Sequence, residues 1–455
     1  MTMESREKVV IVGAGPAGMR AAATLVSAGI RPVIIDEGLK SGGQIYRRPP
    51  DCFRRPPKKL YGSEVHKAVA LHSMFDELVA SGQMDYHPQC SVLAVSQKVL
   101  HVLTPAGRRE FSYDRLILAI GAMDRLAPIP GWQLPGVFGL GAAQIALKAQ
   151  GVALGREIVL AGSGPLLTLV ATQLLAAGAN IRAVLDTSSL RTQFSGLFEM
   201  LARPRLVLRG LFYRATLGRL YHAGVRLENI VGGEDGPTGI HWKDINGDAQ
   251  YTACDMVALG WHLRSETQLA GLAGCNFDYD HDWAQWLPRA DQMGRAGNGL
   301  YLAGDGLKIL GADGAEIAGR LAAAGCLTDM GLDAPDTASD LRLMTRYVRF
   351  ARGIARAFPW PREMVQALPD HTIVCRCEGV TAGSLRASVS YGGSEANRAK
   401  SLSRVGMGRC QGRYCQIAGA ELIAGQAGIA ACDVGRLREQ GPVRPLPIGT
   451  WAQDI

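Results

Sequence analysis

The feature that most constrains this chain is a β-branched run that breaks into glycines and then into an alanine-rich stretch. Residues 8–12 (KVVIV) lead into Gly13-Ala14-Gly15-Pro16-Ala17-Gly18, and a helical pattern continues to Ala28 before Gly29 stops it. Residues 32–36 (PVIID) read as a second strand, so the segment is expected to be a βαβ unit. In a G-x-G-x-x-G turn the first glycine permits the tight turn. The second lets a pyrophosphate approach the backbone, and the third lets the helix pack close to the strand. Free N–H groups at the helix N-terminus then favour phosphate. Gly13, Gly15, Pro16, Ala17 and Gly18 are therefore candidate cofactor-binding positions. Asp36, 23 residues after Gly13, stands where an acid can hydrogen-bond a ribose hydroxyl, and Glu37 is its alternative.

The same grammar returns about 150 residues later. REIVLAGSGPLL (156–167) runs into a helix ending near Gly178, IRAVLD (181–186) follows as a strand, and CDMVALGW (254–261) looks like a return strand. Gly162 and Gly164 repeat the pattern, but Leu167 stands where the third glycine belongs. Asp186 would suit a free 2′-hydroxyl, hence NAD rather than NADP. NAD, another adenine nucleotide and an empty remnant all stay open for this second loop. Residues 158–181 carry no charge, yet Gly162, Gly164 and Pro165 break the run from its fifth position. Strand, turn and buried helix explain it better than a transmembrane segment.

Composition narrows the class. A chain of 455 residues with 47% hydrophobic and 20% charged residues is globular and long enough for several structural units. Its 56 glycines follow no Gly-X-Y period, which excludes collagen and directs them to turns and phosphate loops. Net charge is +8, and residues 335–455 hold sixteen Lys and Arg against ten Asp and Glu. No block of like charge and no RNA-binding aromatic motif appears, so no nucleic-acid partner is expected. Residues 1–8 are polar and show no signal-peptide pattern, so a cytoplasmic setting is expected, peripheral to the inner membrane only through partners. RRPPDCFRRPPKKL (47–60), with four prolines and six basic residues, reads as an exposed loop. GLDAPDTASD (331–340) is linker-like and precedes an Arg-studded helix over 341–358.

Ten cysteines in such a chain suggest metal or redox chemistry where they cluster. Cys375-Arg376-Cys377 is followed after 32 residues by Cys410-Gln411-Gly412-Arg413-Tyr414-Cys415. Four thiolates suit a four-cysteine site for a [2Fe–2S] cluster or for zinc, with free thiols as the remaining option. A one-residue spacer is unusual for structural zinc. Cys415 opens an apolar helix, and Arg376, Arg409 and Arg413 add positive charge expected to raise a cluster potential. The other six cysteines are isolated and read as structural.

Three more segments complete a pattern: Gly42-Gly43-Gln44-Ile45, LILAIGAMDRLAPIPG (116–131) and GNGLYLAGDG (297–306). In this order they resemble the disulfide-reductase-like flavoproteins with two dinucleotide-binding domains. The resemblance implies FAD, with Gly43 and Gln44 near the flavin, the Gly121 turn closing the first FAD segment, and Gly304-Asp305 placing an aspartate on the ribitol. No C-x-x-C or C-x4-C lies in the FAD half, so disulfide chemistry is not expected. Over nearly its whole length the chain resembles the large flavoprotein subunit of heteromeric amine dehydrogenases, a group with hydrogen cyanide synthase, opine (octopine/nopaline) dehydrogenase and D-hydroxyproline dehydrogenase. GGQIYR (42–47), residues 131–151, LAGSGPLL (160–167), TIVCRCEGVT (372–381) and GMGRCQGRYC (406–415) carry that likeness. C-x-C…C-x4-C is similar to the bacterioferritin-associated-ferredoxin-like [2Fe–2S] domain.

The implied fold class is α/β: two Rossmann-like domains and a small α-rich C-terminal [2Fe–2S] domain. The expected units are residues 1–134 and 271–332 for FAD, 135–270 for the second nucleotide fold, and 333–455 for the linker helix and cluster domain. The implied partners are a D-amino-acid-oxidase-like flavoprotein subunit, a small ferredoxin-like subunit and a one-electron acceptor. An FMN at a subunit interface is compatible with the family but has no motif here. On this reading the chain is an electron-transfer subunit of an oxidoreductase acting on CH–NH donors. A stand-alone NAD(P)H-dependent ferredoxin-type reductase and an assembly scaffold are the rivals. No catalytic acid or base can be named, because His66, His262 and His281 stand alone.

Overall fold

The computed structural model describes residues 7–447 and 449, apart from Arg54 and Ala153, so most of the polar N-terminal stretch lies outside the described residues. The apolar runs do form strands. Val9–Val12 is fully buried and pairs in parallel with Val33–Ile35 on one side and Arg115–Leu118 on the other. Leu300–Leu302 and Asp85–His87 extend this parallel sheet at its two ends, and Arg295–Gly297 adds an antiparallel edge. The continuous burial of its central strands reflects layers on both faces, as expected for parallel sheets. Helix Pro16–Ser27 follows the first glycine loop and packs against helix Gly311–Asp329. The contact is close because both helices are small-sided here: a Cβ on Gly319 would collide with the Ala17 carbonyl.

The second unit repeats the first. Glu157–Ser163 sits between Asn180–Asp186 and Met256–Trp261, with Tyr221–Ala223 and Val137–Gly139 outside them, all in parallel. Each unit carries a three-stranded antiparallel meander before its return strand, residues 91–112 in the first and 226–253 in the second. Residues 158–181 are strand, turn and helix Pro165–Ala176, and among the described residues no helix is long and apolar enough to cross a membrane. The chain passes between the units twice, and these crossings, Ala122–Asp124 and Leu263–Ser265, pair antiparallel.

The basic loop at 47–60 is not irregular throughout. Pro57 opens a short helix to Tyr61, which suits proline at the first helical turn; Arg54 lies outside the described residues. The Arg-studded helix spans Ala338–Ala357 and packs on the short helices Leu190–Ser195 and Leu197–Met200. Beyond it lie the hairpin of Ile373–Cys375 with Val380–Thr381 and helices Ala382–Ser390, Ala396–Ser403 and Cys415–Ala427. This tail is not tethered loosely. One apolar core runs from Leu185 and Trp261 of the second sheet through Trp360 to Val374, Leu385 and Leu422. The Val443 N–H also donates to Leu93 O at 2.8 Å, fastening the end of the tail to the first unit.

Candidate functional site

The first glycine loop has the shape a dinucleotide phosphate needs. Gly13 has φ +104°, and a Cβ there would collide with Ala119 O; a Cβ on Gly18 would collide with Gly13 O. The loop Gly42-Gly43 lies directly over Gly15. Gly43 has φ +62°, a Cβ on it would come within 2.9 Å of Gly15 Cα, and one on Gly15 would lie 3.7 Å from Gly43 Cα. The two loops pack backbone on backbone, and glycine at Gly43 is what permits that approach; bare backbone of this kind fits the close passage of a dinucleotide phosphate. Gly304 and Asp305 stand at the base of the same helix, with a Gly304 Cβ only 2.8 Å from the Ala17 Cβ. Gly306 approaches Ile120 and Gly121, so the late Gly-Asp turn and the Gly121 turn meet. Asp305 Oδ1 accepts from Leu310 N at 2.8 Å and Gly311 N at 3.1 Å, and burial pushes its carboxyl up to about 6 against them.

Asp36 does something the spacing did not show. Its Oδ2 accepts from Ala14 N at 2.6 Å and its Oδ1 from Gly38 N at 2.7 Å. It buckles the glycine loop to the loop after the second strand, and burial raises its pKa against these hydrogen bonds. Glu37, next in sequence, is more exposed and pairs with Arg444 at 2.7 Å. Gln44 is exposed and accepts from Arg47.

The second loop is built differently. Leu167 is fully buried among Leu140, Leu147 and Ile158, so it serves helix packing rather than close phosphate approach. His262 lies over Gly164, whose Cβ would sit 3.3 Å from the imidazole ring. Burial lowers the His262 pKa to about 4, which leaves it neutral. Asp186 is sealed. It accepts from Ser163 Oγ (2.7 Å), Ser188 N (2.8 Å) and Tyr221 Oη (2.7 Å) with no exposed surface, and burial pushes it up to about 6. The residues present therefore do not fit a ribose clamp at Asp186.

The four tail cysteines lie near enough to act electrostatically on one another, and all ten cysteines are free. Cys375 and Cys415 act most strongly on one another's ionisation, and Cys377 is perturbed by burial and by Cys410. The Cys375 thiol is pulled down to about 6 by the Cys415 S–H and by backbone N–H groups of Gly406, Glu378 and Cys377. Cys415, fully enclosed, is driven well up by the same partner and by burial. Among the described residues no three His, Cys, Asp or Glu side chains converge to hold a single metal ion.

Residues the sequence did not single out hold this loop in place. Arg264, on the second crossing between units, donates to Arg413 O at 2.8 Å, and Gln268 Nε2 donates to Gln411 O at 2.7 Å. Arg413 and Glu266 form an ion pair at 2.6 Å with side chains only 9% and 7% exposed. The expected excess of positive charge beside the cysteines is thus reduced at Arg413. Arg376 instead donates to Gln133 O. Arg444 reaches both Glu37 (2.7 Å) and Glu266 (3.6 Å), so one guanidinium links the first nucleotide cradle to the clamp on the cysteine loop. Only three-dimensional folding reveals these contacts, because their partners lie from 143 to 407 residues apart.

Two nucleotide folds, the first with closely packed glycine loops at its helix N-terminus, define a flavoprotein oxidoreductase of the two-dinucleotide-domain class. Residues 7–316 match the pyridine nucleotide-disulphide oxidoreductase family, and residues 370–454 match the sarcosine oxidase A3 domain. The chain belongs to that oxidoreductase family, and within it to the group containing the A subunit of opine oxidase and the HcnB subunit of hydrogen cyanide synthase. It is 37% identical to the A subunit of opine oxidase from Rhizobium meliloti, covering 98% of this chain and 87% of that one. It is 31% identical to HcnB of Pseudomonas aeruginosa, covering 97% of each. L-proline dehydrogenase from P. horikoshii shares the fold, with a TM-score of 0.72 at 19% identity over 98% of this chain and 79% of that one.

Proposed function

We propose that this chain is the FAD- and [2Fe–2S]-carrying electron-transfer subunit of a heteromeric dehydrogenase acting on the C–N bond of an amino acid, opine or secondary amine. The primary oxidation is assigned to a D-amino-acid-oxidase-like partner subunit, and a small ferredoxin-like subunit and a one-electron acceptor complete the route. The observation that carries the reading is a single chain of contacts. Gly13, Gly15, Gly18, Gly43 and Gly304 let the loops around the first helix N-terminus pack closely beside the Gly121 turn, and Arg444, Glu266 and Arg413 tie that assembly to the loop of Cys410 and Cys415.

FAD accepts two electrons and a [2Fe–2S] cluster passes one at a time, so a chain holding both converts between the two. The chain's own residues have simpler tasks. Gly15, Ala17 and Gly18 would offer backbone N–H groups to the phosphates, the N–H groups of Gly13 and Ala14 being taken by Ile35 O and Asp36; Glu37 stands for the ribose, and Asp305 for the ribitol. Cys375, Cys377, Cys410 and Cys415 would hold the cluster. The one-residue spacer of Cys375-Arg376-Cys377 favours a two-iron cluster over structural zinc, whose paired cysteines are usually two to four residues apart. An FMN at a subunit interface would rest on residues shared with a partner.

The rival, a stand-alone NAD(P)H-dependent ferredoxin-type reductase, needs the second cradle to hold a dinucleotide, and Leu167, Asp186 and His262 oppose that. Anaerobic stopped-flow mixing separates the two readings. The purified complex should show flavin bleaching with octopine or another amine substrate and none with NADH or NADPH. Rapid bleaching by NADH in the absence of amine would favour the rival.

A further inference from the structure

The stretch from Leu190 to Leu220 presents apolar side chains to solvent in a way nothing in the cofactor chemistry requires. Phe194, Phe198, Leu208, Leu211 and Phe212 are between 55% and 72% exposed. Helix Pro204–Leu217 packs one side on helix Pro165–Ala176, with Leu217 buried in that core. Its opposite side, at the i, i+3, i+4 spacing of Leu208, Leu211, Phe212 and Ala215, is the exposed one. The usual amphipathic arrangement is therefore inverted on this face, and such a patch on a globular protein marks an interaction surface.

Charge narrows what the surface meets. Residues 190–220 contain six arginines and one acid, Glu199; Glu199 pairs with Arg356, Arg203 with Asp313 and Arg209 with Glu64, and Arg191, Arg205 and Arg219 are exposed. Arg205 and Arg219 are exposed at the two ends of the apolar face. Arg209 pairs with Glu64, which brings the short helix Pro57–Tyr61 alongside, and its Lys58 and Lys59 are exposed as well. The proline-rich basic loop singled out in the sequence thus ends beside the apolar face.

We infer that helix Pro204–Leu217, with the preceding Phe194–Leu201 segment, docks this subunit directly on an anionic phospholipid surface. Phenylalanine and leucine enter the acyl boundary while arginine and lysine stay with the phosphates, the arrangement of an interfacial helix lying in the plane of the membrane. A helix of 14 residues is about 21 Å long, too short to span but sufficient to lie flat. The juxtamembrane basic residues would each add attraction to anionic lipid that salt screens. This inference does not depend on the electron-transfer reading.

The test uses the purified full-length chain and its complex with flavin content checked. Each is mixed with vesicles of phosphatidylcholine alone or of phosphatidylcholine with about 30% phosphatidylglycerol, enough to set a surface charge. Co-flotation should be about tenfold stronger with the anionic vesicles and should weaken at high salt. Leu208→Ser with Phe212→Ser should lower it at least about tenfold, and Arg205→Glu with Arg219→Glu should abolish the preference for anionic lipid. Absence of flotation with either vesicle, or flotation unchanged in both variants, overturns the inference. So does loss of a partner subunit, or of a concentration-dependent dimer, in the serine variant without any change in flotation, since the face then belongs to a protein contact.

Discussion

Replacing Glu266 by glutamine tests how the cysteine loop is held. Glu266 and Arg413 are both almost wholly buried, and Glu266 Oε1 also accepts from Gln268 N at 3.1 Å. Arg264 lies beside them, is itself buried, and has an Nε with no hydrogen-bond partner among the described residues. Glu266→Gln keeps the shape and one acceptor but leaves Arg413 and Arg264 without their nearest carboxylate. Removing one member of a buried pair costs about 3–5 kcal/mol, chiefly for stranding the other charge. The retained acceptor places the expected loss near the lower end, about 3 kcal/mol, or several degrees in Tm for a unit of this size. Thermal and urea unfolding followed by circular dichroism and by cluster absorbance would measure it, and the cluster should be lost before the flavin. The control is Glu266→Gln with Arg413→Met, which removes both charges and should recover at least about half of the loss, because a well-packed apolar replacement is often close to neutral. A Glu266→Gln variant within about 0.5 kcal/mol of wild type, or a double variant whose losses simply add, would refute the claim that a desolvated ion pair anchors this loop.

Other consequences are equally direct. Gly18→Ala drives a methyl into Gly13 O and should yield folded chain purified without flavin absorbance, while Gly233→Ala, where a Cβ meets nothing, should retain it. Asp186, held up to about 6 against an unfolded value near 3.8, stabilises the fold least when ionised. Its contribution should therefore be fully present below about pH 4, fall as pH rises through about 6, and stay constant above. Asp186→Asn should flatten that window by up to about 3 kcal/mol in urea unfolding, and an unchanged pH profile would show that the carboxyl is not desolvated. If the second cradle is closed to NAD, His262→Ala should not create detectable NADH-dependent flavin reduction, although it opens space above Gly164.

Much of the architecture is legible in the sequence because it is local. The strand–glycine–helix grammar at 8–28 and at 156–178 depends on neighbours a few residues apart, and the strands and helices stand where that grammar places them. Cys415 likewise opens its helix. What sequence could not supply is pairing at long range. The strongest influence on Cys375 comes from Cys415, forty residues away, and no spacing rule announces it. Asp36 and Asp186 occupy the strand ends that a ribose acid would use, yet their oxygens are filled by Ala14 and Gly38 N–H in one case and by Ser163 and Tyr221 hydroxyls in the other. The tail shares a core with the second sheet through Trp360, a contact invisible to periodicity, which describes faces but not their partners.

The central claim is that electrons cross this chain from flavin to the four-cysteine site. The most direct measurement is amine-driven reduction of a one-electron acceptor by the purified complex carrying Cys410→Ala, with iron, flavin and subunit content measured on the same sample. The variant should lose iron, retain flavin, still show substrate-dependent bleaching of flavin, and reduce the acceptor at least about a hundredfold more slowly. Acceptor reduction at the wild-type rate in a complex shown to lack iron would contradict that claim.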